Sequence, residues 1–212
     1  IWYTPVTGIW QTVWIEPVPA ANRIEGITTR SDIRAGVLSV DVKTARTGSD
    51  RVCVTLSADG KTLAERSSMA GQPVHLAVEH PRLWSPDDPY LYDLTVTLVR
   101  DGRVIDRAES YAALREIATG RDANGIERMT LNGRPLFHFG PLDQGWWPDG
   151  LYTAPTDEAL LYDIRFTKQL GFNMIRKHIK VEPERWYWHC DREGILVWQD
   201  MPSGDMSTGK WE

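Results

Sequence analysis

The sequence predicts a multidomain protein in which an antiparallel β-sandwich precedes a segment of alternating strands and helices on a parallel sheet. Three observations carry this. Short period-2 apolar alternations broken by turn signals fill residues 24–117. After Gly120 the pattern changes to a β-α-β-α-β rhythm whose strands are apolar on both faces, as parallel sheets require. Finally, 212 residues suit one or two domains, and a hundred-residue sandwich can hold its own core.

Residues 1–20 alternate around Trp10, Val13 and Ile15 up to Pro17-Val-Pro19 and read as a strand. One strand cannot bury two faces, so it is expected to be the last piece of a preceding β-domain. Within the sandwich, strands are expected at Gly36–Lys43, Arg51–Ser57, Pro73–Val78, Tyr92–Val99 and Arg103–Asp106. Hairpin turns fall at Asp59-Gly60 and Asp101-Gly102.

A further hairpin turns at Asn132-Gly133, and Pro135–Phe139 reads as the first strand of the parallel set. Thr156 is placed to cap a helix with Asp157 and Glu158 in its first turn and Gly171 beyond its end. Phe172–Arg176 is the second strand. Pro183 opens a second helix that Gly194 closes, and Ile195–Trp198 is the third strand.

Composition narrows the function classes. A net charge of -5 without a basic patch argues against nucleic acid. No apolar run reaches the ~18 residues of a membrane span. The two cysteines, Cys53 and Cys190, are expected to be free and buried, and no spacing suggests a metal or cofactor. Ten tryptophans are unusual. Each can fill a core, but rigid flat apolar faces also stack on the C–H side of sugar rings.

Five stretches, in order, resemble one family. Gly8-Ile-Trp10, Pro81-Arg-Leu-Trp-Ser-Pro86 with Pro89-Tyr-Leu-Tyr-Asp-Leu94, Leu131-Asn-Gly-Arg-Pro135, Gly171-Phe-Asn-Met-Ile-Arg176, and Trp186-Tyr187 with Cys190-Asp191 and Gly194 are similar to family 2 glycoside hydrolases, the β-galactosidase, β-glucuronidase and β-mannosidase group. The resemblance implies the last strand of a jelly-roll sugar-binding domain at 1–20 and an immunoglobulin-like sandwich at 21–118. It implies the first three strands of a truncated (β/α)₈ TIM barrel at 119–212.

The family's chemistry is retaining hydrolysis of O-glycosidic bonds by two glutamates about 5–5.5 Å apart. The resemblance places the acid/base after an Asn at the end of barrel strand four and the nucleophile on strand seven. No Asn here is followed by Glu, and Glu212 follows Trp211. No catalytic residue is therefore expected in this stretch.

Barrel active sites lie at the C-terminal ends of the strands. That position nominates Asp143, Gln144, Trp146 and Trp147, then Arg176 and His178, then Asp200, as carbohydrate-binding residues. Carboxylates and amides can hold sugar hydroxyls, Asp143 foremost, while the tryptophans supply a stacking wall. Arg176 orients a carboxylate or simply neutralises Asp200. Against the family pattern, Asp143-Gln144 stands where β-galactosidase-like members have Arg-His, and His178 comes one place early.

Two rivals remain: a non-catalytic carbohydrate-binding or adhesion sandwich, and a complete small α/β enzyme using Arg176, His178 and Asp200. Three barrel strands leave edges and an apolar face, so self-association through 120–212 is expected, with Phe137, Phe139, Met174, Ile175 and Val197 exposed.

Overall fold

The alternation between Ile24 and Ala112 becomes two antiparallel sheets in a computed structural model that describes residues 4–202. One sheet is ordered β1-β2-β5, from Ile24–Asp32, Val37–Thr44 and Val74–Ala77. The other is ordered β4-β3-β6-β7, from Lys61–Met69, Arg51–Ala58, Tyr92–Arg100 and Arg103–Ala112.

Every second residue enters one core: Leu38, Val40 and Val42 from β2, Val52, Val54 and Leu56 from β3, and Tyr92, Leu94, Val96 and Leu98 from β6. Strands β1 and β4 lack a clean alternation and escaped the sequence reading. β4 is an edge strand whose residues are largely exposed, which keeps its free side polar.

The Pro81–Leu94 stretch acquires a physical role. Trp84 is fully buried, its amide donates to Leu114 O, and the Arg115 guanidinium lies 4.4 Å above its ring. Tyr92 Oη accepts from Arg82 N at 2.7 Å, and Arg82 pairs with Asp88 while stacking on Tyr90.

Asp50, also buried, accepts two bonds of 2.7 Å from Arg100 and one of 2.7 Å from Asn22. The Arg100 bonds foremost, then Asn22, hold its carboxyl down at about 2. With a folded value below the unfolded value of about 4, the contribution is complete above pH ~4 and is lost as pH falls towards 2. We expect the melting-temperature gap between wild type and Asp50→Asn to be constant from pH 7 to 5 and to close between pH 4 and 2. A gap that persists at pH 2 would contradict the linkage.

A small meander follows, β8 (Ile117–Arg121), β9 (Glu127–Leu131) and β10 (Arg134–Pro135). The chain divides into two compact units, 15–136 and 1–14 with 137–212. The meander falls in the first, although the expected boundary at 119 separates it from the sandwich. Asn132 explains this: its amide donates to Glu116 O, its side chain donates to Trp84 O, and its Oδ1 accepts from Glu116 N. At φ 53 it shares the turn with Gly133 at φ 74, in the left-handed region that Asn-Gly turns use.

In the second unit, β11 (Leu142–Asp143), β12 (Met174–Lys177) and β13 (Leu196–Gln199) form a parallel sheet in that order. Helices α1 (Asp157–Gln169) and α2 (Glu184–Glu193) connect them. Thr156 caps α1 through Ala159 N, and Gly194 ends α2 at φ 78. Leu160, Ile164, Ile175, Trp186, Cys190 and Ile195 make the core beneath the helices.

Two expectations are corrected. Residues 4–20 form no strand, because among the described residues they enter no ladder. The first parallel strand is not Pro135–Phe139 but the two residues 142–143. The carbonyls of Phe139, Pro141 and Asp143 accept from Asn173, Arg176 and His178, but Pro141 has no N–H to return a bond, so the ladder upstream is one-sided.

Of the apolar residues expected on the surface, Phe137 and Phe139 are exposed while Met174 and Ile175 are buried and Val197 is half-buried. Among the described residues no helix is long and apolar enough to cross a membrane.

Candidate functional site

The period of two in β12 sorts its side chains. Ile175 and Lys177 face the helices, and Arg176 faces the opposite side with Met174. Arg176 therefore stands on the open face of the sheet, where its guanidinium makes a two-pronged pair with Asp200 at 3.1 and 2.9 Å. The pair holds the Asp200 carboxyl below the usual carboxylate range.

Beside it, at the ends of β11 and β12, Gln144 Nε2 donates to His178 Nδ1 at 2.8 Å, both half-buried. Trp198 Nε1 donates to His138 Nδ1 on β13's side, and burial pushes His138 below the ordinary histidine range.

Asp143 behaves differently from its expected role as the foremost sugar contact. Paired in register with Lys177, it turns to the helix side. Its Oδ2 accepts from Lys177 Nζ at 2.5 Å and its Oδ1 from Gly145 N at 2.7 Å.

Behind it lies a charge cluster that the sequence reading missed. Lys177 Nζ also reaches Glu182 Oε1 at 3.0 Å and lies 4.4 Å over the Trp186 ring. Lys180 Nζ reaches the same Glu182 oxygen at 3.0 Å, Gly145 O at 2.6 Å and Tyr152 O at 2.8 Å. The side chains of Lys177, Lys180 and Glu182 are 1, 1 and 2 % exposed. Burial is the first cause lowering the Lys180 ammonium below its ordinary range, and Glu182 opposes it.

The signal was present in Met-Ile-Arg-Lys: a lysine occupying the buried parity of an apolar strand needs a counter-ion. Ile179, between the two lysine positions, has φ 50, a left-handed conformation that costs a β-branched residue about 1–3 kcal/mol.

Trp146 packs edge-on to Tyr152 at 5.5 Å, and Trp147 rests against the helix-side core. In the same unit, a cleft of about 510 Å³ is lined by residues 4–10, Trp146, Tyr152 and Thr153. Trp10 meets Tyr152 edge-on at 4.4 Å there.

Among the described residues no three His, Cys, Asp or Glu side chains converge as metal ligands. Cys53 in β3 and Cys190 in α2 are free thiols, Cys53 half-buried, Cys190 buried and pushed well above its ordinary pKa by burial. On the sandwich, Trp84 and Tyr92 are buried, so neither offers a stacking face to a sugar.

Residues 22–115 match the family model described as Glycosyl hydrolases family 2. A putative β-glucuronidase of Formosa agariphila is 31% identical over 179 residues, which cover 80% of this chain and 16% of that protein. A β-galactosidase of Lactococcus lactis is 30% identical over 128 residues, 60% of this chain and 12% of its own length. The chain thus spans less than a fifth of these relatives. Among solved structures, Bifidobacterium dentium β-glucuronidase complexed with coumarin-3-O-glucuronide superposes with a TM-score of 0.76 at 22% identity, over 86% of this chain and 31% of that one. That last likeness speaks for the fold.

Proposed function

Residues 22–115 place the chain in family 2 of the glycosyl hydrolases, and from that premise we propose that it is a segment of a retaining glycoside hydrolase. In this reading 137–212 opens a (β/α)₈ barrel, with 21–118 as the immunoglobulin-like sandwich and 1–20 as the link from a sugar-binding domain. The observation that carries it is the meeting of Gln144, His178 and the Arg176–Asp200 pair at the C-terminal ends of parallel strands. That is the end where barrel enzymes place their sites.

Gln144 and His178 have the chemistry to hold sugar hydroxyls, and Trp146 to stack on a sugar face, while Trp147 packs against the helix-side core. Arg176, held on the open face by Asp200, suits an anionic or strongly polar group. Asp143 acts from behind, by orienting Gly145 and Lys177. The general acid and nucleophile of retention come from glutamates outside these 212 residues.

The whole protein is then expected to hydrolyse p-nitrophenyl β-glucuronide or β-galactoside with retained anomeric configuration, read by NMR of the first product. The 212-residue chain alone is expected to show no turnover. Turnover by this chain that vanishes in Asp143→Ala or Asp200→Ala would overturn the assignment.

A further inference from the structure

The buried charges and the exposed pair are arranged about the same two short segments. Residues 143 and 145, on either side of Gln144, are each gripped by a lysine: Lys177 holds the Asp143 carboxylate and Lys180 holds the Gly145 carbonyl. Those two lysines flank His178 in the chain. The His178 amide donates to Asp143 O at 2.8 Å, and Gln199 Nε2 fixes Lys180 O at 2.9 Å.

Glu182 ties the lysines together through one oxygen, and its amide donates to Tyr187 Oη. A side chain at Gly145 would stand 2.2 Å from the Glu182 oxygen and 2.8 Å from Lys180 Nζ, so the grip closes only around glycine. Two lysines and two carboxylates balance in charge. Each ammonium is satisfied, Lys180 by three oxygens and Lys177 by two oxygens and the Trp186 ring.

We propose that Lys177 and Lys180 are positioning residues, forming a buried clasp that holds Gln144 and His178 in the 2.8 Å contact and thereby fixes the ring tautomer His178 presents. That this pair meets a sugar rests on the reading above; the clasp itself does not.

In this arrangement Gln144 Nε2 donates to Nδ1, so neutral His178 carries its proton on Nε2. Long-range imidazole ¹H–¹⁵N correlation on the 212-residue chain, recorded with the ring neutral, is expected to show this single tautomer. Lys177→Met is expected to give a tautomer mixture and at least tenfold faster exchange of the Gln144 carboxamide, with Leu196–Gln199 amides still protected.

If Lys177→Met does not fold, Asp143→Asn decides. It leaves Lys177 its Glu182 counter-ion while loosening the hold on residue 143, and is expected to give the same two changes. A single Nε2–H tautomer with unaltered Gln144 exchange in the folded variant would overturn the clasp. Failure of D-glucuronate and D-galactose to shift Gln144 or His178 signals in the whole protein would instead tell against the sugar reading, leaving the clasp untouched.

Discussion

Gly140→Ala is expected to dismantle the parallel-sheet unit. A Cβ there would stand 1.6 Å from Met174 O and 2.5 Å from its carbonyl carbon, both backbone atoms that cannot rotate away. The close approach exists because Phe139 O and Pro141 O accept bonds from Asn173 and Arg176, on either side of Met174. Relief requires separating β11 from β12, and with it the ends that place Gln144 and His178. We expect a loss of at least about 4 kcal/mol, in the range reserved for gross steric faults.

Gly133→Ala is the control. It has open space around the added carbon, and at φ 74 it bears only left-handed strain of about 1–2 kcal/mol. Hydrogen exchange separates the cases: Gly140→Ala should unprotect β12 and β13 amides and leave β3 and β6 protected. Protection of β12 at wild-type levels would refute it.

Glu182→Ala is the second large effect. The side chain is 2 % exposed and its Oε1 is shared by two buried ammonium groups. Removing it leaves Lys177 with Asp143 alone and Lys180 with two carbonyls and no counter-ion. Breaking a buried pair from one side costs about 3–5 kcal/mol, because the stranded charge keeps its desolvation penalty. Replacing both Lys180 and Glu182, by Met and Leu, should cost less than Glu182→Ala alone, since Lys177 keeps Asp143 and no other charge is stranded. Equilibrium urea unfolding followed in β13 reads both. A double variant as damaged as the single would show that the cluster acts through shape and not charge.

Much of the fold was legible because one-sided burial writes itself into period 2. Strands β2, β3 and β6 alternate cleanly since one face meets the sandwich core, and Thr156 and Gly194 mark helix ends by backbone needs that any reader of sequence can apply. Strand β4 was hidden because an edge strand has little to bury. The first parallel strand was misplaced because Phe137 and Phe139 look like core, yet are 81 and 54 % exposed.

At the site, strand-end position brought Gln144, Arg176, His178 and Asp200 into view. It could not tell which face each occupied, and register alone turned Asp143 towards the helices. Lys177, Lys180 and Glu182 were passed over because charged residues are surface residues by habit, and only their pairing with one another and with Asp143, helped by the Gly145 and Tyr152 carbonyls, makes their burial tolerable.

In the proposed function the C-terminal ends of these three strands meet the sugar. The most direct test of this placement is kcat/KM of the whole protein on p-nitrophenyl glycosides with Gln144→Ala and His178→Ala, beside His75→Ala, whose ring bonds Ser39 on the sandwich. Loss of a hydrogen bond that strengthens in the transition state predicts a fall of about ten- to hundredfold for each of the first two. His75→Ala should match wild type, and all three should keep wild-type melting temperatures within a few degrees. Wild-type kcat/KM in folded Gln144→Ala and His178→Ala proteins would contradict the placement of the sugar at these strand ends.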